Sequence, residues 1–259
     1  SGSIERAVLL AHDITDKIRL QADTFRNSQL ASLGELAAGV AHEINNPISG
    51  VINYAQIMLN REQLDENDLD LVRRIQKEGV RISNIVNSLL HMSRADGDKP
   101  ELTGIDQLLT DAINLFESRL HRDGILLHVE LPDHLPPVRV RKQQIQQVVI
   151  NLVSNSLHAL NGKDFKDSER KLLEISAEEK EFNDQKMLAI QVFDRGYGIP
   201  AHLLDRIMHP FFTTKTVGQG TGLGLSISHN IVREHGGLLT VDREEGEYTR
   251  VTVFLPIEI

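Results

Sequence analysis

The 259-residue sequence contains no cysteine and no tryptophan, and only 4% of its residues are aromatic. Without cysteine there is no disulfide, no thiol nucleophile and no thiolate metal site. The absence fits a reducing compartment, here expected to be the cytoplasm, with membrane attachment of any longer protein left open. With so few rings, core volume must come from Leu, Ile and Val. No run approaches the roughly 18 consecutive apolar residues of a membrane helix, and no signal-peptide pattern opens the chain. There is no long basic block either. Net charge is −9, which argues against nucleic acid or an anionic membrane surface as the main partner. What is present is ordinary for a globular protein, 40% hydrophobic and 25% charged, at a length that favours two domains.

Ser1-Gly2-Ser3 reads as a cloning scar, and Ala7–Ala11 as one short strand before the polar run His12–Asp16. Thr15 or Asp16 then caps a helix leading into Leu30–Asn60. In that stretch Leu30, Leu33, Ala37, Val40 and Ile44 alternate steps of three and four, the pattern of a bundle helix. In this frame His42 points to solvent. A second run, Ile48, Val51, Ala55 and Met58, is shifted by one residue, and Pro47 sits in the phase break, where its ring favours a bend. A second helix is expected from about Asn67 to Ala95, with a seam of Val72, Ile75, Gly79, Ile82, Val86, Leu89 and Ser93, widened by Leu71, Ile85 and Met92. Two such helices make an antiparallel hairpin with one apolar flank uncovered, and a homodimer of four helices covers it. Gly79 on the seam suits a close helix approach.

Asp96–Pro100 breaks the pattern, and the domains are expected as 1–15, 16–97, a linker at 98–104, and 105–259. In the last of these the expected elements are a helix over Ile105–Leu120, a strand over Ile125–Leu131, a turn at Pro132–Pro137 and a helix over Arg141–Leu160. Strands over Leu172–Glu178 and Met187–Asp194 follow, joined across Lys180–Gln185. A Gly-rich segment, a helix from Leu225 to His235, and strands over Leu238–Arg243 and Thr249–Leu255 complete the chain. The mixture predicts an α/β sandwich behind a helical hairpin.

Three stretches of this second domain carry chemistry. Asn151 and Asn155 lie four apart on one helix face, where neutral carboxamides complete a magnesium shell or bond phosphates, although taken alone they read equally as solvated surface. Asp194, at a strand end before Gly196, Gly198 and Ile199, offers a carboxylate acceptor for an exocyclic amine such as that of adenine, and the glycines admit close backbone approach. Gly218–Leu225 is Gly-rich and runs into a helix, an arrangement that presents backbone N–H groups to anions. It is neither a Walker P-loop nor a Rossmann fingerprint.

Together these residues resemble the catalytic core of a two-component sensor histidine kinase. His42-Glu43-Ile44-Asn45-Asn46-Pro47 resembles the family's H box and Gln147–Ala159 its N box. Asp194–Gly198 resembles the first glycine box, Met208–Lys215 the F box and Gly220–Leu225 the second glycine box. Five motifs in the family's order cover about Asn27 to Ile259. The resemblance implies a dimeric phosphotransfer bundle joined to a Bergerat-type ATP-binding domain. ATP and Mg2+ are the implied cofactors, and a response regulator receiver domain is the implied partner. It further implies that Asn155 holds the metal, that Asn151 lies near the phosphates and that Asp194 reads adenine. His158, Phe212, Thr213, Lys215, Gly220, Thr221, Gly222, Leu223, Gly224 and Leu225 complete the expected nucleotide site, with Phe211–Gly220 as a mobile lid; His158 reads equally as surface, and Lys215 also as a solvent-facing lysine of the lid. Arg195 and Tyr197 depart from the usual first glycine box and leave Asp194 and both glycines intact. Residues Ala7–Asp16 resemble the end of a PAS sensor domain.

The expected catalytic residues are His42, Glu43 and Asn46. Neutral imidazole, with an ordinary pKa of about 6.5, is a competent nucleophile near pH 7, and the adjacent Glu43 can take or orient the second ring proton. In families of this kind a polar residue at the Asn46 position helps place water against a phosphorylated regulator, so phosphatase activity is also expected. His91 reads as surface, and His209, His229 and His235 as structural. A Bergerat ATPase without phosphotransfer gives no reason for a hairpin carrying His42, and a degenerate binding module none for the intact Asn155, Asp194 and glycines. Protein serine kinase signatures are absent.

Overall fold

The computed structural model describes residues 44, 46–60, 65–93, 99–165, 170–182, 184–216 and 220–257. The expectations for Ala7–Asp16, for the Leu30–Val40 seam, and for His42 and Glu43 lie outside the described residues. The chain divides into two compact units between Ala95 and Asp96.

In the first unit residues 46–59 form helix α1, and Glu66–Ser93 form α2. Asp65 caps α2: its Oδ1 accepts the Asp68 N–H at 2.8 Å. Glu66 and Asp68 add negative charge to the first turn, where the helix dipole favours it. The helices run antiparallel. Gln76 Nε2 donates to Gln56 Oε1 at 2.7 Å, and a Cβ added at Gly79 would stand 2.8 Å from Ile52 Cγ1. Gly79 therefore sets the closeness of the pair. Gly79→Leu is expected to destabilise the hairpin by about 1–3 kcal/mol through overpacking, more than the gain of about 1 kcal/mol in helix propensity. Urea melts check this; a raised midpoint would show that Ile52 simply yields.

Ala55, Val72 and Val86 are buried, whereas Val51, Tyr54, Met58, Leu71, Ile75 and Ile82 are exposed. Ile75 and Ile82, expected on the hairpin seam, are thus corrected to its uncovered flank. A two-helix contact is narrow and covers only alternate members of a three-four repeat.

The second unit opens with a strand. Residues 98–104, expected as a linker, contain β1 (Glu101–Thr103), which pairs antiparallel with β3 (Val138–Val140). The single helix expected over Ile105–Leu120 is two, α3 (Ile105–Asn114) and α4 (Glu117–Arg122). The Phe116 N–H bonds to the Ile113 carbonyl, tightening the last turn of α3, and α4 starts anew. Ile113 and Leu120 both point inward, so the apolar period runs through the break and conceals it.

After β2 (Leu126–Glu130), the long helix α5 (Lys142–Gly162) leads to β4 (Leu172–Phe182) and β5 (Gln185–Asp194). These strands extend beyond their expected ends and leave Asp184 at φ 60 in a tight turn. Helix α6 (Gly224–Glu234) precedes β6 (Leu238–Glu244) and β7 (Tyr248–Pro256). The sheet order is β2-β4-β5-β7-β6, with only β2 and β4 parallel. Helix α5 packs on β4 and β5, α6 on β6 and β7, and α3 on α5. Alternate residues Leu173, Ile175, Leu188, Ile190, Val253 and Leu255 meet Ile145, Leu157, Leu160 and Leu223 in a core that is almost entirely aliphatic. His235 ties the helix layer together: its Nε2 accepts the Arg141 N–H at 3.0 Å, which leaves Nδ1 to donate to the Ile231 carbonyl. The structural reading of His235 holds.

Candidate nucleotide-binding site

A cavity of about 350 Å³ opens between α5, the end of β5 and the Gly-rich turn before α6. At one end lies Asp194, buried at the strand terminus. Its Oδ2 accepts the Ser156 hydroxyl at 2.8 Å and its Oδ1 the Gly196 N–H at 2.9 Å. Burial pushes its carboxyl up to about 6, against the pull of those two hydrogen bonds. Leu152, Ala159, Ile199, Val241 and Val251 give this end apolar walls. A buried acceptor flanked by aliphatic surface suits a flat heteroaromatic ring with an exocyclic donor.

The other end is polar. Asn151 and Asn155 both line it, as their spacing predicts, but they are used differently. The Asn151 carboxamide is engaged within the protein: Oδ1 accepts from Gln147 Nε2 at 2.9 Å, and Nδ2 donates to the Gly224 carbonyl at 3.2 Å and to Ser228 Oγ. It clips α5 to the start of α6. Asn155 Oδ1 instead accepts the Lys215 ammonium at 2.9 Å. Gly220, Thr221, Gly222, Gly224 and Leu225 form the adjoining wall, which places the N-terminus of α6 beside the polar end. Gly222 has φ 68, and a Cβ there would collide with the Phe211 backbone. Phe211 itself has φ 66, so the F-box and second-glycine-box segments pass each other at close range. Phe212, Thr213, Gly198 and Ile199 also line the cavity.

Not every expected site residue lines this cavity. Leu223 is fully buried and acts as an anchor, with its N–H on Thr221 Oγ1. Gly196 acts through Asp194. His158 is half-buried outside the cavity wall. Burial first, then the charges of Lys215 and Arg119, push its imidazole below the usual range, so it is neutral at pH 7. Asn46 belongs to the first unit, exposed on α1. Among the residues missed were Ser156 and Thr214. Ser156 carried a signal, a polar residue one step after Asn155 on the inward side of α5. Thr214 lines the cavity together with Tyr197; nothing local in the sequence announces that.

Comparison with known proteins agrees with this geometry. Residues 141–259 match the family described as histidine kinase-, DNA gyrase B- and HSP90-like ATPase, and residues 32–98 match the His Kinase A (phospho-acceptor) domain. The chain is 32% identical over 240 residues to the sensor histidine kinase ZraS of Escherichia coli (strain K12), covering 93% of this chain and 49% of that protein. It is 31% identical over 256 residues to the sensor kinase CckA of Brucella abortus (strain 2308), covering 97% of this chain and 27% of that protein. It therefore spans about half the length of these relatives or less. Among solved structures, histidine kinase ThkA in complex with response regulator protein TrrA aligns with a TM-score of 0.60 and 27% identity, over 95% of this chain and 68% of that one. Among the described residues no helix is long and apolar enough to cross a membrane. With a phospho-acceptor domain followed by a histidine kinase-type ATPase domain, this chain belongs to the two-component sensor histidine kinases and comprises their catalytic core.

Proposed function

We propose that this chain transfers the γ-phosphoryl group of ATP to His42 and passes it to an aspartate in a response regulator receiver domain. The observation that carries the reading is the cavity itself, with a buried carboxylate among aliphatic walls at one end and Asn155, Lys215 and a helix N-terminus at the other. In this reading Asp194 accepts the exocyclic amine of adenine, held in place by Ser156 and Gly196. Backbone N–H groups around Gly220–Gly224 bind the phosphates, and Asn151 keeps that turn against α5. Lys215 adds a positive charge beside them, and His158, outside the cavity wall, has no contact with the nucleotide. The neutral oxygen of Asn155 fits Mg2+, which needs few protein ligands and keeps phosphate oxygens and water. Among the described residues no group of three or more His, Asp or Glu side chains offers a rival metal site. Bound there, the metal would neutralise phosphate charge.

At the acceptor, one nitrogen of His42 attacks the γ-phosphorus, the bond to the β-phosphate oxygen breaks, and Glu43 takes the proton of the second nitrogen. The complex of ThkA with TrrA supports a receiver domain as the partner. Asn46, exposed one turn after His42, is available to place water for the reverse task, dephosphorylation of that partner. The uncovered flank of Val51, Tyr54, Met58, Ile75 and Ile82 supports a homodimer through α1 and α2. Incubation with γ-labelled ATP and Mg2+ is expected to give an acid-labile, base-stable phosphoprotein whose label moves to a receiver domain. A chain that hydrolyses ATP without retaining label is an ATPase of the same fold and not a kinase.

A further inference from the structure

The bond between Lys215 and Asn155 joins residues 60 positions apart in sequence, and the surrounding chain is shaped to deliver it. The Lys215 N–H bonds Thr213 Oγ1 at 3.1 Å, turning the segment back on itself. Gly220 packs so closely on this turn that a Cβ there would stand 2.8 Å from both Lys215 Cδ and Thr213 Oγ1. The aliphatic stem of Lys215 is thereby held against the Gly-rich wall, with its ammonium aimed at the polar end. Thr214, the neighbouring residue, lines the same cavity. Asn155 contrasts with Asn151, whose carboxamide is tied to Gln147, Gly224 and Ser228. The oxygen of Asn155 is instead given to a cation at the end of a long flexible stem. A carboxylate there would hold the ammonium as a partly buried ion pair, whereas a neutral carboxamide holds it by one hydrogen bond that is easily exchanged.

We propose that Lys215 and the divalent cation take the side-chain oxygen of Asn155 in turn, so that Lys215 sets how strongly nucleotide binding depends on magnesium. This rests on the reading of Asn155 as the metal-side residue given above. When the metal takes the oxygen, the ammonium is released towards the phosphates. When magnesium is scarce, the ammonium remains as the positive charge next to Asn155. Two cations sharing one oxygen are competitors, and competition makes their effects on nucleotide affinity non-additive.

The experiment is a four-way titration of ADP into the parent chain and Lys215→Met, each in excess Mg2+ and in EDTA. Exchange predicts that the ratio of the EDTA to the Mg2+ dissociation constant is larger in Lys215→Met by about tenfold or more, because the variant has no substitute cation. Lys215→Arg, which keeps the charge, is expected to return the ratio towards the parent value. Equal ratios in parent and Lys215→Met overturn the proposal, since they mean that lysine and metal act independently. A parent whose ADP affinity ignores Mg2+ overturns the reading of Asn155 itself, a different failure. Melting temperatures of each protein without nucleotide separate either result from misfolding.

Discussion

Asp194→Asn is expected to abolish useful nucleotide affinity while making the nucleotide-binding unit more stable at pH 8. The carboxyl is held at about 6 in the folded protein against an ordinary 3.8, chiefly by burial. A raised acid contributes stability that is fully present below pH 3.8 and is lost as pH rises through about 6. Above that, the ionised group costs the fold about 3 kcal/mol by its pKa shift. Asparagine is neutral throughout and fits the same partners: its oxygen accepts the Gly196 N–H, and its amide donates to Ser156 Oγ. The variant should therefore melt several degrees above the parent at pH 8, and the gap should close as pH falls below 6. Nucleotide pays the opposite consequence. The remaining oxygen has lost its charge and already serves Gly196, so ADP affinity should fall about 100-fold or more. Calorimetric titration with paired melts reads both effects. Unchanged ADP affinity would remove Asp194 from base recognition, and a lower melting temperature at pH 8 would show that the buried charge is not a strain.

His42→Gln is expected to remove all acid-labile label while leaving ADP affinity within about twofold of the parent. The argument is chemical. Imidazole carries a lone pair at neutral pH because its ordinary pKa is about 6.5, whereas a carboxamide nitrogen has no available pair. Glutamine keeps approximate size and polarity, so folding should be little disturbed. The nucleotide site is built from residues after 150 and contains no part of the acceptor box. Label retained by the variant would place the acceptor elsewhere, with His91 the next histidine to test. Loss of nucleotide affinity along with the label would instead mean that His42 shapes the ATP site.

Legibility in the sequence followed the range of the interactions. Helix α5 was readable to within two residues at each end, because its apolar stripe continues through Ile145, Val149, Val153, Leu157 and Leu160. Strands β5 and β7 were readable from their apolar runs, and Gly79 from its place on a seam. The three-residue strands β1 and β3 escaped, since a period of two cannot be established over three residues, and each exists only through the other. The α3–α4 break escaped because burial continues through it. Ile75 and Ile82 were misplaced because periodicity names the apolar stripe of a helix without saying which edge of it a single neighbour covers.

The order of the boxes, the helical start, the Gly-rich approach to α6 and the expectation of a nucleotide site were determined by the sequence alone. Each box is itself a run of neighbouring residues, and their order is read directly along the chain. Only the tertiary structure decided how the site is wired. Ser156 meets Asp194 across 38 residues, Asn151 meets Gly224 across 73, and Lys215 meets Asn155 across 60. Such pairs leave no local period to read; they arise when α5, the sheet edge and the Gly-rich turn pack round one core, and that packing alone separates a structural asparagine from an exchangeable one.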